Sequence, residues 1–200
     1  MSAKQITAEA CAHHLWFSNE DYDRLGSLIK CNPAIKLPSD REALIRAVNE
    51  DRIDIIATDH APHTREEKAG PYFQAPAGLP LVQHALLSLL DAVARGVYTV
   101  EKVVQKTSHA VAERYGVTER GYVREGCHAD LVLVDPRART PVTPESLLYK
   151  CGWSPFEGEV LHGRIDMTLV NGVPVWEGGA ILPAAAAAPP GRRLGFSARR

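Results

Sequence analysis

The sequence predicts an α/β unit over residues 1–117, a smaller and mostly β unit over 118–180, and a disordered tail over 181–200. Two observations carry this division. An amphipathic helical pattern (Leu44, Ile45, Val48) runs directly into Ile53-Asp54-Ile55-Ile56-Ala57-Thr58, a short β-branched run of the kind that forms a buried parallel strand. Helix followed by strand is the rhythm of an α/β fold. After Gly116 the texture changes to runs rich in Val, Leu and Ile, with Asn171-Gly172 set between two of them. Asn-Gly at such a place favours a type I′ hairpin turn.

Taken in order, Ile6 to His14 is predicted as a strand, on which the adjacent His13 and His14 point to opposite faces. Both are expected to be structural. That abrupt opening on a strand is read as a sign of truncation. Ser18, three residues before Asp21, signals a short helix ending near Gly26, and a loop with Pro33 and Pro38 follows. Ser39 and Glu42 are spaced as a capping box for the next helix. Val82, Ala85, Leu86, Leu89, Leu90 and Val93 recur at helical spacing and Gly96 closes that helix. Thr99 and Ser108 are placed to cap two more, the second ending at Gly116. From Leu182 the alanine- and proline-rich tail has too little apolar bulk to join a core.

Composition narrows the function. A formal net charge of −1, with Lys and Arg scattered apart from Arg192, Arg193, Arg199 and Arg200, gives no electrostatic reason to expect nucleic acid or an anionic membrane as partner. No apolar run is long enough to span a bilayer, and no apolar signal region opens the chain, so a cytoplasmic location is expected. Cys11, Cys31, Cys127 and Cys151 are too far apart for a CxxC metal knuckle and are expected as reduced thiols. Metal chemistry would therefore come from His and Asp.

The stretch richest in chemistry is Ala57-Thr58-Asp59-His60-Ala61-Pro62-His63-Thr64. An apolar strand ends in a carboxylate, and two histidines and a proline follow at once. In a (β/α) barrel the C-terminal ends of the strands face the substrate. An Asp there can bind a divalent metal and carry a proton, and a His can bind metal or an anionic substrate. Pro62 restricts the turn and is expected to hold His63 on the same rim as Asp59. The competing structural role is an Asp capping the next helix beside exposed, idle histidines.

This octapeptide, with Glu66-Glu67-Lys68 behind it, an Asn32-Pro33 loop upstream and Ala75-Pro76-Ala77-Gly78-Leu79 downstream, resembles the dihydroorotases of the amidohydrolase superfamily. The resemblance covers nearly the whole chain apart from the tail. It implies the C-terminal part of a (β/α)8 TIM barrel, its last two strands and helices, followed by a small β-sandwich domain. It implies a zinc-dependent, reversible cyclisation of N-carbamoyl-L-aspartate to L-dihydroorotate in pyrimidine biosynthesis. Asp59 would ligate zinc and act as acid and base, and His63 would hold the substrate carboxylate. Asn32 would hydrogen-bond the ring, and Ala75, Pro76, Ala77 and Gly78 would offer backbone groups to the ring amide. His60 would pack near the metal without ligating it. Trp153-Ser154-Pro155-Phe156-Glu157-Gly158 would dock the β unit onto the barrel.

The same resemblance implies two zinc ions in the complete enzyme, held mostly by a His-x-His pair, a lysine and two further histidines. None of these has a candidate in this chain, so the chain alone is expected to be inactive. Hydantoinase, dihydropyrimidinase and allantoinase share the fold and chemistry; His63 and Asn32 favour the acidic ring substrate. A non-catalytic dihydroorotase-like partner of aspartate transcarbamoylase is a further alternative, against which Asp59 and His63 both stand intact. A homodimer or a transcarbamoylase complex is the assembly that the resemblance suggests.

Overall fold

Strand β1 (Glu9–Cys11) and strand β2 (Ile55–Ala57) pair in parallel, with Glu9 opposite Ile55 and Cys11 opposite Ala57, in a computed structural model that describes residues 6–197. Between them run helices α1 (Ala12–Trp16), α2 (Tyr22–Leu25) and α3 (Pro38–Asn49). After β2 come α4 (Arg65–Lys68), α5 (Ala85–Ala94), α6 (Val100–Val104) and α7 (Ala110–Tyr115). Parallel strands joined through helices are the α/β arrangement that the sequence predicts.

Several local expectations change. The predicted first strand stops at Cys11, and His13 and His14 lie in α1, so the opposite-face argument does not apply to them. Helix α3 starts one residue before Ser39: Pro38 takes the first helical position, and the Asp40 carboxylate, rather than Glu42, accepts from the Leu37 N–H (3.1 Å). Pro has no N–H to leave unpaired there, which favours the earlier start. Ser18 and Asp21 do form their box, Thr99 Oγ1 accepts from the Lys102 N–H (3.1 Å), and Gly116 ends α7 at φ 65°. Ser108 caps nothing, because the helix continues from α6 to α7 through a π turn over Gln105–His109.

The β unit is one antiparallel sheet in the order β3 (Leu131–Pro141), β4 (Val160–Val170), β5 (Val173–Glu177), β6 (Ala180–Ile181). Val170 pairs with Val173 across Asn171 and Gly172, whose φ values of 50° and 81° are both positive, as a type I′ turn requires. Among the described residues this sheet stands as a single layer, with no second sheet packed on it. Its packing partner is helical instead. Asp91 of α5 is buried and accepts from the His162 backbone N–H (3.1 Å) and from His162 Nδ1 (2.6 Å), tying β4 to the helix.

One apolar cluster spans both units: Phe17, Ile29, Leu87 and Leu90 from the α/β part meet Val142, Phe156 and Leu161 from the β part. A second cluster, including Ala10, Leu15, Val48, Ile56, Leu89 and Val103, packs helices against β1 and β2. Within the segment predicted as disordered, Pro183–Ala187 forms a short helix, α8, with Ala185 buried, and Phe196 bridges to Val117. Proline at the helix start and an alanine run suffice for that one turn. Arg199 and Arg200 of the basic cluster lie outside the described residues.

Candidate active site

Asp59 stands two residues past the end of β2, at φ 48°, in the left-handed region that Asp and Asn tolerate better than other side chains. The kink turns its carboxylate out of the sheet and leaves it exposed. An open cleft of about 640 Å³ is lined by Asp59 together with Asn32, Pro33, Cys11 and His14. Asp59 and Asn32, distant in sequence, thus share one cavity.

His63 is placed differently from the expectation. It lines a separate cleft of about 460 Å³ with His60, Pro62, Glu67 and Tyr149, rather than the cavity of Asp59. Its Nε2–H donates to the Ala77 carbonyl (3.2 Å), and Nδ1 lies 3.6 Å from the Glu67 carboxylate. Its own carbonyl accepts from Trp153 Nε1 (2.8 Å), so the buried indole of the β unit fixes the histidine backbone. Arg65 adds an ion pair to Glu157 (2.8 Å). The Trp153–Gly158 element therefore docks onto the motif itself. His60 Nδ1 accepts two backbone N–H groups, from Leu81 (3.0 Å) and Val82 (3.2 Å), and its ring stacks on Tyr149, so it braces the loop.

Thr64 opens α4 with a reciprocal box: Thr64 Oγ1 accepts from the Glu67 N–H (3.2 Å) and the Glu67 carboxylate from the Thr64 N–H (2.8 Å). That one-turn helix ends at Lys68, which is fully buried. Its Nζ donates to the carbonyls of Lys30 (3.1 Å), Pro76 (2.9 Å) and Gly78 (3.0 Å). Burial pushes its pKa down to about 8. Lys68 was legible only as part of the family motif; nothing in its spacing marks a charge destined for the interior.

The Ala75–Gly78 loop is already heavily bonded. Its four carbonyls accept from Lys30 Nζ (Ala75), Lys68 Nζ (Pro76 and Gly78) and His63 (Ala77). The Ala75 N–H donates to Pro71 and the Gly78 N–H to Lys30, and Pro76 has none. Ala77 N–H is what remains for an incoming acceptor. The small residue at 78 serves the protein's own backbone: at φ 137°, a Cβ would stand 2.4 Å from the Ala61 carbonyl oxygen. We expect Gly78→Ala to cost about 1–3 kcal/mol in urea unfolding, from overpacking and strain together. A change below the error of that measurement would show the approach to be slack.

Among the described residues, one group of three potential ligands is closely spaced, Cys11, His13 and His14, with one donor atom each within 4.8 Å of the others. Burial, and then the charges of Asp59 and Glu9, push the Cys11 thiol up to about 12. Burial and the neighbouring His14 push His13 down to about 3, and both its ring nitrogens are buried without a hydrogen-bond partner. Both shifts favour the neutral forms of Cys11 and His13, and Asp59 is not part of this group. All four cysteines are free, as predicted. The described residues thus supply Asp59 as a single carboxylate at the strand end and do not by themselves assemble a two-metal centre.

The amidohydrolase family model matches residues 3–175. The chain belongs to the amidohydrolase family. This amidohydrolase chain is 43% identical over 181 residues to a dihydroorotase of Halobacterium salinarum, covering 90% of this chain and 42% of that protein. A dihydroorotase of Clostridium acetobutylicum is 37% identical over 173 residues, with 86% and 41% covered. Among solved structures, an L-hydantoinase (dihydropyrimidinase) from Arthrobacter aurescens superposes with a TM-score of 0.83 at 26% identity, covering 88% of this chain and 40% of that one. The chain therefore spans about two fifths of the length of the relatives it matches. No helix among the described residues is long and apolar enough to cross a membrane.

Proposed function

We propose that this amidohydrolase chain is the C-terminal portion of a dihydroorotase, carrying the last two barrel strands with the acid/base and much of the substrate cradle. The observation that carries this is a carboxylate, Asp59, two residues past a parallel strand and in one cleft with Asn32. The identity of 43% to a named dihydroorotase, against 26% to the solved hydantoinase, supports the acidic six-membered ring over hydantoins.

In the reaction, a water oxygen adds to the ring amide carbon and the carbon–nitrogen bond breaks; the cyclisation is the reverse. Asp59 takes the proton from the attacking oxygen and delivers it to the departing nitrogen, the work of a positioned general acid and base. Asn32 hydrogen-bonds the ring, and Ala77 N–H takes a ring carbonyl. His63 is the proposed partner of the substrate carboxylate, a role that requires its ring to leave the Ala77 carbonyl and turn from its own cleft toward that of Asp59. The two zinc ions belong to the complete enzyme, meaning this chain together with the residues that supply the remaining ligands. Its partner is a small molecule, and its place is the cytoplasm.

The test compares the complete enzyme and this chain alone on dihydroorotate, hydantoin and allantoin. We expect the complete enzyme to turn over dihydroorotate by a wide margin, and the chain alone to show no turnover and no stoichiometric zinc. Turnover by the isolated chain with stoichiometric zinc would overturn the division of ligands. Preference of the complete enzyme for hydantoin would overturn the substrate.

A further inference from the structure

Lys68 buries an ammonium whose hydrogen bonds all go to backbone carbonyls and none to a carboxylate. Burying a charge is costly unless it is fully bonded, and here three donors meet three acceptors, the full capacity of the group. A methionine would fill the same volume without that cost but would leave the carbonyls without their donor. The acceptors come from two loops. Lys30 lies two residues before Asn32, while Pro76 and Gly78 flank Ala77. Lys30 crosses in the opposite sense: its Nζ donates to Tyr72 (2.7 Å) and Ala75 (2.6 Å), and its carbonyl also accepts the Gly78 N–H (2.9 Å). Ser27 Oγ donates to the Lys68 carbonyl, anchoring the base of the arrangement.

We propose that Lys68 and Lys30 form a crossed clamp that holds the Asn32 loop and the Ala75–Gly78 loop in one register, making both lysines positioning residues for substrate binding. With three of the four loop carbonyls turned onto the two ammonium groups, Ala77 N–H is left as the donor offered to a ligand. Asn32 is held at a fixed distance from it. The role in substrate binding rests on the dihydroorotase assignment proposed above; the clamp itself rests on the bonds just described.

The experiment uses the complete enzyme with Lys68→Met and Lys30→Met. A misplacement of about 1 Å can cost about 100-fold, so we expect Lys68→Met to raise KM for dihydroorotate about tenfold or more. Its kcat should stay within about threefold, the signature of lost uniform binding, and Lys30→Met should shift KM the same way by less. A merely structural role would lower the folded fraction and hence kcat at unchanged KM, and that result would overturn the proposal. Amide hydrogen exchange gives a second readout that needs no substrate. Either substitution should speed exchange across residues 75–78 relative to the rest of the chain. If Lys68→Met does not fold, Lys30→Met decides: KM and exchange both at wild-type values would sink the clamp. Failure of the dihydroorotase assignment looks different, since the unmodified enzyme would then leave dihydroorotate untouched, and exchange would still judge the clamp.

Discussion

Asp59→Asn in the complete enzyme is expected to lower kcat on dihydroorotate by about 10² to 10⁴-fold, the range that a positioned general acid and base contributes. Asparagine is the informative substitution because of the backbone. Asp59 sits at φ 48°, and Asn tolerates that left-handed conformation, whereas alanine would add roughly 1–2 kcal/mol of strain and confuse stability with chemistry. The amide keeps the size of the side chain and removes its charge and its ability to take a proton. The residue is exposed and lies outside both apolar clusters, so the fold should persist, as a circular dichroism melt within a few degrees of the unmodified protein would show. Unchanged turnover with a normal melt would remove Asp59 from the mechanism and the proposed reaction with it.

What the sequence made legible follows from which interactions are local. The β2 run, the Gly116 stop and the Asn171-Gly172 hairpin were all readable because each is decided by a few adjacent residues. Even nearby signals failed where two competed: Pro38 won the start of α3 from Ser39, and continuous helical backbone through Gln105–His109 overrode the cap at Ser108. The candidate site divides in the same way. Asp59 was found from the end of a strand and Asn32 from the family motif, and the two do share a cleft. His63 was expected beside Asp59 because only one proline and two other residues separate them. Its position is instead set by partners far along the chain, Ala77 and Trp153, and the turn faces it into another cleft. The buried role of Lys68 was hidden for a similar reason, since its acceptors come from residues 30, 76 and 78 and exist only once two loops have met. What packs on the β layer was also beyond reach, because strand patterning does not say whether a helix or a second sheet will cover a face.

Trp153→Ala is expected to destabilise the protein by about 3–5 kcal/mol, the usual cost of truncating a fully buried large aromatic side chain. The residue has no solvent exposure and its indole reaches the His63 carbonyl, so the cavity would open where the β unit meets the Asp59–Thr64 segment. Trp153→Phe separates the two contributions. It keeps much of the apolar surface and removes the Nε1–H that reaches the His63 carbonyl, a loss of about 1 kcal/mol, together with part of the ring volume, which adds a smaller packing loss. In urea unfolding the alanine variant should lose several times as much as the phenylalanine variant. In the complete enzyme the phenylalanine variant should still raise KM for the acidic substrate, because the backbone that carries His63 is no longer pinned. Equal and small losses in both variants would mean that the joint repacks freely. The β layer would then be a passenger, rather than the element that sets where His63 stands.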